Sequence, residues 1–201
     1  MHTTDYDFRH NAAFFNITNE FTLQLTVHPI GPTTGRLQVI ASKSGEWSLQ
    51  ISAEGTLQWR VCLASGWAQA NGTRVLRNAS SFVIKATHAG SLATGRGTLK
   101  IFSCELAADG FVCPLSAIEG TASGQLPLQM GTADIILGGA EQPQLHPAEE
   151  TATAVVAATS FVGAMEEIQL ARISLENITA HLFLGNECKH LVVHKQSSSC
   201  L

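Results

Sequence analysis

The chain has 201 residues, 45% of them hydrophobic and only 14% charged, with a formal net charge of −4. Soluble domains average about 25% charged residues, and here 34 Ser and Thr fill the deficit. An acidic balance without a basic run excludes a nucleic-acid surface, and the longest apolar stretch, 152–165, is short of the about 20 residues that cross a bilayer.

Strict alternation is the dominant pattern along the chain. Phe21, Leu23, Leu25 and Val27 alternate with Thr22, Gln24, Thr26 and His28. Period two sends successive side chains to opposite faces, so this run predicts a strand with one apolar and one polar face. A second strand is expected over 37–41. Trp47, Leu49 and Ile51 then alternate with Ser48, Gln50 and Ser52, and Leu57, Trp59 and Val61 with Gln58 and Arg60. Ala53-Glu54-Gly55 between them is a turn, so the two runs form a hairpin. Trp47 and Trp59 lie on the apolar register and belong in the core. Further strands are expected over 81–87, 98–104, 111–118, 133–137 and 161–173, with Gly-Pro, Ser-Gly, Asn-Gly and Asp-Gly in the gaps.

Residues 138–160 have no clear period and contain Pro143, Pro147, Glu149 and Glu150. That is long for a connection inside a compact domain, and such loops are either functional or disordered. Over 174–183, Ser174 is a good N-cap and Leu175, Ile178 and Leu182 share a face, which predicts a short C-terminal helix. About ten strands with almost no other helix predict an all-β, two-sheet antiparallel sandwich.

Five cysteines, Cys62, Cys104, Cys113, Cys188 and Cys200, contain no Cys-x-x-Cys pair. Cys104 and Cys113 flank a turn-rich segment with Asp109-Gly110, so a disulfide closing that hairpin is expected. It removes about 2–3 kcal/mol of chain entropy from the unfolded state. Cys188 and Cys200 are candidates to staple the C-terminal strand, and either is also a candidate partner for Cys62. One cysteine is left over. Four of seven Asn residues, Asn16, Asn71, Asn78 and Asn177, stand in Asn-x-Ser/Thr, where chance gives about one. The excess points to the secretory pathway. The first residues carry no apolar signal core, so the expectation is one domain, 1–201, excised from a longer extracellular chain.

Phe161-Val162-Gly163-Ala164-Met165-Glu166-Glu167-Ile168-Gln169-Leu170, followed by Leu175, resembles the closing motif of the laminin-G-like domains in the concanavalin A-like lectin and glucanase superfamily. Ala171 stands where that motif has an aromatic residue. Phe21 to Val27 with Pro29, Ile40-Ala41-Ser42-Lys43, Trp47-Ser48-Leu49 and Gly55-Thr56-Leu57-Gln58-Trp59 resemble its opening strands. Thr98-Leu99-Lys100-Ile101-Phe102 resembles a later one, with Ser103-Cys104 in place of its Asp-Gly turn. The resemblance spans about residues 5–185. It implies a jelly-roll sandwich acting as an extracellular recognition or adhesion module, sometimes with calcium at one end. Some relatives are glycoside hydrolases.

Hydrolysis of a glycosidic bond needs two carboxylates flanking it. The nearest match, Glu167-Ile168-Gln169-Leu170-Ala171, offers one, and the adjacent Glu166 is expected on the opposite face. No Gly-x-Ser-x-Gly, His-Glu-x-x-His or P-loop is present. Cys188, His190, His194 and Cys200 have the ligand types of a zinc site, although an oxidising compartment favours a disulfide beside two surface histidines. Asp occurs only at Asp5, Asp7, Asp109 and Asp134, so no calcium ligand is assigned.

The remaining chemistry is polar. Gln24, Thr26 and His28, with Gln50, Gln58 and Arg60, offer amides and a guanidinium suited to sugar hydroxyls. Trp67 is the ring whose placement the pattern leaves open to stacking. The reading is a noncatalytic glycan-binding module with Gln24, His28, Gln58, Arg60 and Trp67 as its candidate binding residues. The alternatives are a protein-interaction domain contacting its partner through 138–160, and a degenerate glycoside hydrolase. No cofactor is required, and calcium is the ion that the resemblance admits. The domain is soluble, and a membrane-anchored parent chain is compatible with it.

Overall fold

The computed structural model describes residues 20–106, 118–128, 135–139 and 159–171. They form β1 (Glu20–Pro29), β2 (Gln38–Lys43), β3 (Trp47–Ile51), β4 (Thr56–Leu63), β5 (Gly66–Val75), β6 (Ser81–Ser91), β7 (Arg96–Leu106), β8 (Gly120–Gln125), β9 (Ile135–Leu137), β10 (Thr159–Ser160) and β11 (Gly163–Ala171). No helix occurs among the described residues, and the helix expected over 174–183 lies outside them.

The strands make two sheets. Sheet one has the order β11-β1-β6-β7-β8, and sheet two β10-β2-β3-β4-β5 with β9 also on β2. Pairing is antiparallel except for the two-residue contact of β10 with β2. Chain neighbours β1 and β2 sit in different sheets, and β1 lies between β6 and the last strand. Long crossovers of this kind are what a two-layer sandwich uses to close its edges.

Alternation does what period two requires. Phe21, Leu23, Leu25 and Val27 from β1 face Trp47, Leu49, Ile51, Trp59 and Val61 from β3 and β4 in one buried core. The Phe21 ring centroid lies 5.3 Å from that of Trp59 and 5.8 Å from that of Trp47. Fully burying one such side chain contributes about 1.5–3 kcal/mol. The indole of Trp59 also donates to the Thr87 carbonyl at 3.1 Å. That bond crosses the core, satisfies the ring's one polar atom and ties the two sheets together.

The β3–β4 hairpin forms where expected. Gly55 takes φ +84°, a left-handed conformation that costs glycine nothing. Across the β2–β3 turn, Lys43 and Glu46 form a fully buried ion pair at 2.5 Å.

The two-residue β10 has no counterpart in the sequence reading, and neither do β5 and β8. Their inward positions are Ala68, Ala70 and Gly72, and Gly120, Ala122 and Gly124, so the hydrophobic signal is missing. Proximity explains the small residues. A Cβ at Gly120 would overlap the Asn71 carbonyl, and one at Gly124 would lie 2.6 Å from Leu63 Cδ1. Here the edges of the two sheets approach backbone to backbone.

Candidate functional site

The five residues singled out for binding do not form one surface. Gln24 and His28 point outward from sheet one, whereas Gln58, Arg60 and Trp67 point outward from sheet two. Packed sheets lie about 10 Å apart, with the whole core between these two faces. Alternation told in from out, but both sheets have an outside, and strand assignment decides which.

On sheet two the outward rows run across strands. Gln50, Gln58 and Asn71 are register partners, and so are Ser48, Arg60 and Gln69. Gln50 Nε2 donates to Gln58 Oε1 at 2.8 Å, and Gln69 Nε2 donates to Asn71 Oδ1 at 2.7 Å. The Arg60 guanidinium lies over the Trp67 ring, 4.9 Å from its centroid. Gln58, Arg60 and Trp67 are half-buried, while Gln69 and Asn71 are exposed. A planar cation on a ring, beside fixed amides, presents both donors and acceptors.

Cys62 is on the same face, opposite Trp67. It is a buried free thiol. Burial pushes its pKa up, and the Arg60 charge opposes that only in part.

The outer face of sheet one is mostly closed. Gln24 is 6% exposed, and Thr22, Thr26, Lys85, Thr87 and Phe102 are also buried. Gln24 therefore does not present its amide to a ligand. Lys85 Nζ sits 4.2 Å from the Phe102 ring centroid. This face opens at two ends.

At one end His28 Nδ1 meets Ser81 Oγ at 2.6 Å. Its Nε2 is 3.5 Å from Glu166 Oε2, a contact without hydrogen-bond geometry. The alternation expected for Glu166 and Glu167 fails here. A β-bulge shifts the β1–β11 register between Gln24 and Thr26, and Glu167 takes φ +51°. Glu167 reaches Thr26 Oγ1 at 3.5 Å while Glu166 reaches His28, so both carboxylates lie toward the outer face.

At the other end is an open hollow of about 460 Å³ lined by β1, β6, β7 and β8. None of the residues singled out from the sequence lines it. The usable signal was Arg96-Gly97-Thr98-Leu99-Lys100, in which cation, hydroxyl and cation alternate on one strand face.

Asn71 and Asn78 are both exposed, and Asn78 Oδ1 accepts the Gly31 amide at 2.8 Å. Cys104 is not a free thiol. Asn16, Asn177, Cys113, Cys188, Cys200, His190, His194, Asp5 and Asp7 lie outside the described residues, as does most of 138–160. Among the described residues no three His, Cys, Asp or Glu side chains are grouped to hold a metal.

The class of protein that this architecture defines is a two-sheet, all-β antiparallel sandwich. Solved structures similar to it include mouse laminin α1 chain domains LG4-5, at 16% identity and TM-score 0.46, covering 80% of this chain and 37% of that one. The LG1-3 region of the laminin α2 chain matches at 15% and 0.47, covering 86% and 30%. The CBM40 of Ruminococcus gnavus IT-sialidase, solved bound to α2,3 sialyllactose, matches at 13% and 0.45, covering 81% of each. The chain spans about a third of the length of the two laminin structures. No protein-family model matches the chain, and no curated protein matches it.

Proposed function

We propose that this chain is a noncatalytic carbohydrate-recognition domain of an extracellular or cell-surface protein, reading its ligand on the outer face of sheet two. The observation that carries the reading is the Arg60–Trp67 stack beside Gln58, Gln69 and Asn71. A sugar offers hydroxyls and apolar CH faces together, and this surface offers amides, a guanidinium and a ring edge in the same few ångströms. A cross-strand hydrogen bond from Gln50 to Gln58 and one along β5 from Gln69 to Asn71 hold the amides in place before the ligand arrives, which lowers the ordering cost. The site is open and wet, so affinity for one sugar unit is expected to be weak. The test is a glycan array with the parent chain and Trp67→Ala. Saturable binding that the variant loses supports the reading; an array with no competable binding rejects it.

A second reading draws on the bulge that brings Glu166 and Glu167 to one face. Paired carboxylates are what glycoside cleavage requires. Turnover of a β-glucan that disappears in Glu167→Gln would establish that reading instead. The protein-interaction alternative rests on 138–160. Deleting 140–158, which leaves β10 and the Ser42–Gly139 hydrogen bond in place, abolishes partner binding, with the melting temperature nearly unchanged, if it is correct.

A further inference from the structure

We propose that the first sugar of an N-linked glycan at Asn78 lies over Ile30 and Val162 and closes an apolar patch that the polypeptide leaves open at one end of the sandwich. This inference rests on the extracellular part of the reading above and is independent of the face of sheet two.

Three chain segments meet at this end. The Ile30 amide donates to the Val162 carbonyl at 3.0 Å, the Ala79 amide to the Pro29 carbonyl at 3.1 Å, and the Gly31 amide to Asn78 Oδ1 at 2.8 Å. Main-chain atoms therefore fix residues 29–31 against both 78–79 and 162. Ile30 is 64% exposed and Val162 45%. They continue the β1–β11 register one place beyond Pro29 and Gly163. Directly opposite residues of an antiparallel pair have Cβ atoms about 4.5–5.5 Å apart on one face. Single exposed apolar side chains are ordinary, but two side by side on fixed backbone make a patch that an adherent group can cover.

Asn78 supplies that group. Asn78-Ala79-Ser80 is a glycosylation acceptor sequence, and Asn78 and Ala79 are exposed in the connection between β5 and β6. Ala79 takes φ +61°, a left-handed conformation that disfavours any residue with a Cβ. The turn accepts that strain while setting the Asn78 side chain on Gly31. Because Oδ1 receives the Gly31 amide, Nδ2, the atom that carries a glycan, is the other end of an anchored group. Transfer forms a bond from Nδ2 to the anomeric carbon of N-acetylglucosamine. It breaks that carbon's bond to the phosphate of a lipid-diphosphate oligosaccharide donor, and the amide proton leaves to the departing lipid diphosphate. The sugar then begins beside the residue that follows Ile30. Its ring CH groups and N-acetyl methyl are apolar, so laying them on Ile30 and Val162 removes apolar surface from water. The tether is covalent and its first link is already held, so a weak attraction is enough to seat the sugar.

The test uses the 201-residue chain secreted from a glycosylating host. Ser80→Ala removes the acceptor sequence and keeps Asn78 with its bond to Gly31. It is made in the parent and in an Ile30→Ser/Val162→Thr background, each checked by circular dichroism for folding. Peptide mapping reads occupancy, and enzymatic trimming to one N-acetylglucosamine isolates the first sugar. The expected result is an occupied Asn78 and a melting temperature about 2–4 °C lower in Ser80→Ala than in the parent. The trimmed parent should keep most of that difference. In the Ile30→Ser/Val162→Thr background Ser80→Ala should cost less than half as much. Equal losses in both backgrounds overturn the inference, because the glycan would then act without touching the patch. An occupied Asn78 with no difference overturns it too. Self-association of the glycosylated parent that Ile30→Ser/Val162→Thr abolishes assigns the patch to a second copy and overturns it as well. An unoccupied Asn78 overturns it, and if none of the acceptor asparagines is occupied the extracellular reading falls with it. Saccharide binding on the array is a separate measurement, so the carbohydrate reading stands or falls on its own.

Discussion

The guanidinium carbon of Arg60 lies 4.9 Å from the centre of the Trp67 ring, reaching across from β4 to β5. Neither residue is in the core, and their strand positions are offset by one row. The contact therefore holds a surface shape in place more than it holds the fold. Cation–π pairs at partly exposed sites contribute about 0.5–1 kcal/mol. Arg60→Ala should lower unfolding stability by no more than that in urea titrations while reducing saccharide binding. Arg60→Lys keeps the charge and loses the flat stack, so its binding should stay low.

Asn71 shares that face, opposite Gln58 and hydrogen-bonded by Gln69. A glycan on its amide would stand directly on the amide row. Secreted from a glycosylating host, the chain should carry a glycan at the exposed Asn78, as measured by peptide mapping, whereas a glycan found at Asn71 would cover the proposed face and put the binding surface elsewhere. Intact mass with and without reduction should also show one bond joining Cys104 to Cys113 and a thiol at Cys62.

Gly120 faces the Asn71 backbone so closely that a methyl group has no room. The obstruction is main chain, which cannot rotate away. Gly120→Ala should destabilise the domain by about 1–3 kcal/mol or more, because relief requires the sheets to part at this edge. Gln125→Ala, at an exposed position of the same strand, should stay within about 0.5 kcal/mol of the parent. Urea midpoints of the two variants give the comparison.

Burial raises the Cys62 thiol above its ordinary pKa. The folded state then holds this proton more tightly than the unfolded chain does. Its contribution to stability is complete below the unfolded thiol value and declines as pH rises past about 8.5. Cys62→Ala should flatten the alkaline part of the stability curve. Reaction of Cys62 with a thiol reagent should be slow in native protein and fast in denaturant. Fast native reaction would show that the thiol is reachable and not held back by burial.

Much of the fold was legible because it is written in period two. Phe21 through Val27, Trp47 through Ile51 and Leu57 through Val61 each carry large apolar side chains at every second place, and each became a strand facing the core. β5 and β8 were not legible. Their inward positions hold Ala and Gly, chosen by how closely two backbones approach, and that constraint comes from residues distant in sequence. The break at Glu167 was hidden for the same reason. A bulge is a mismatch between two strands, and one strand's pattern does not reveal it.

Local side-chain alternation, then, was enough to determine that this chain layers into β-sheets, and which residues of its clearest strands turn away from water. It also supplied the polar outer residues from which any site must be drawn. Which of those residues meet was decided by strand order alone. Gln24 and Gln58 look equivalent in their own segments, yet one is buried on sheet one and the other is half-buried on sheet two. Alternation is a property of a single strand, whereas a surface belongs to several strands brought together by crossovers, and only the assembled sandwich contains that information.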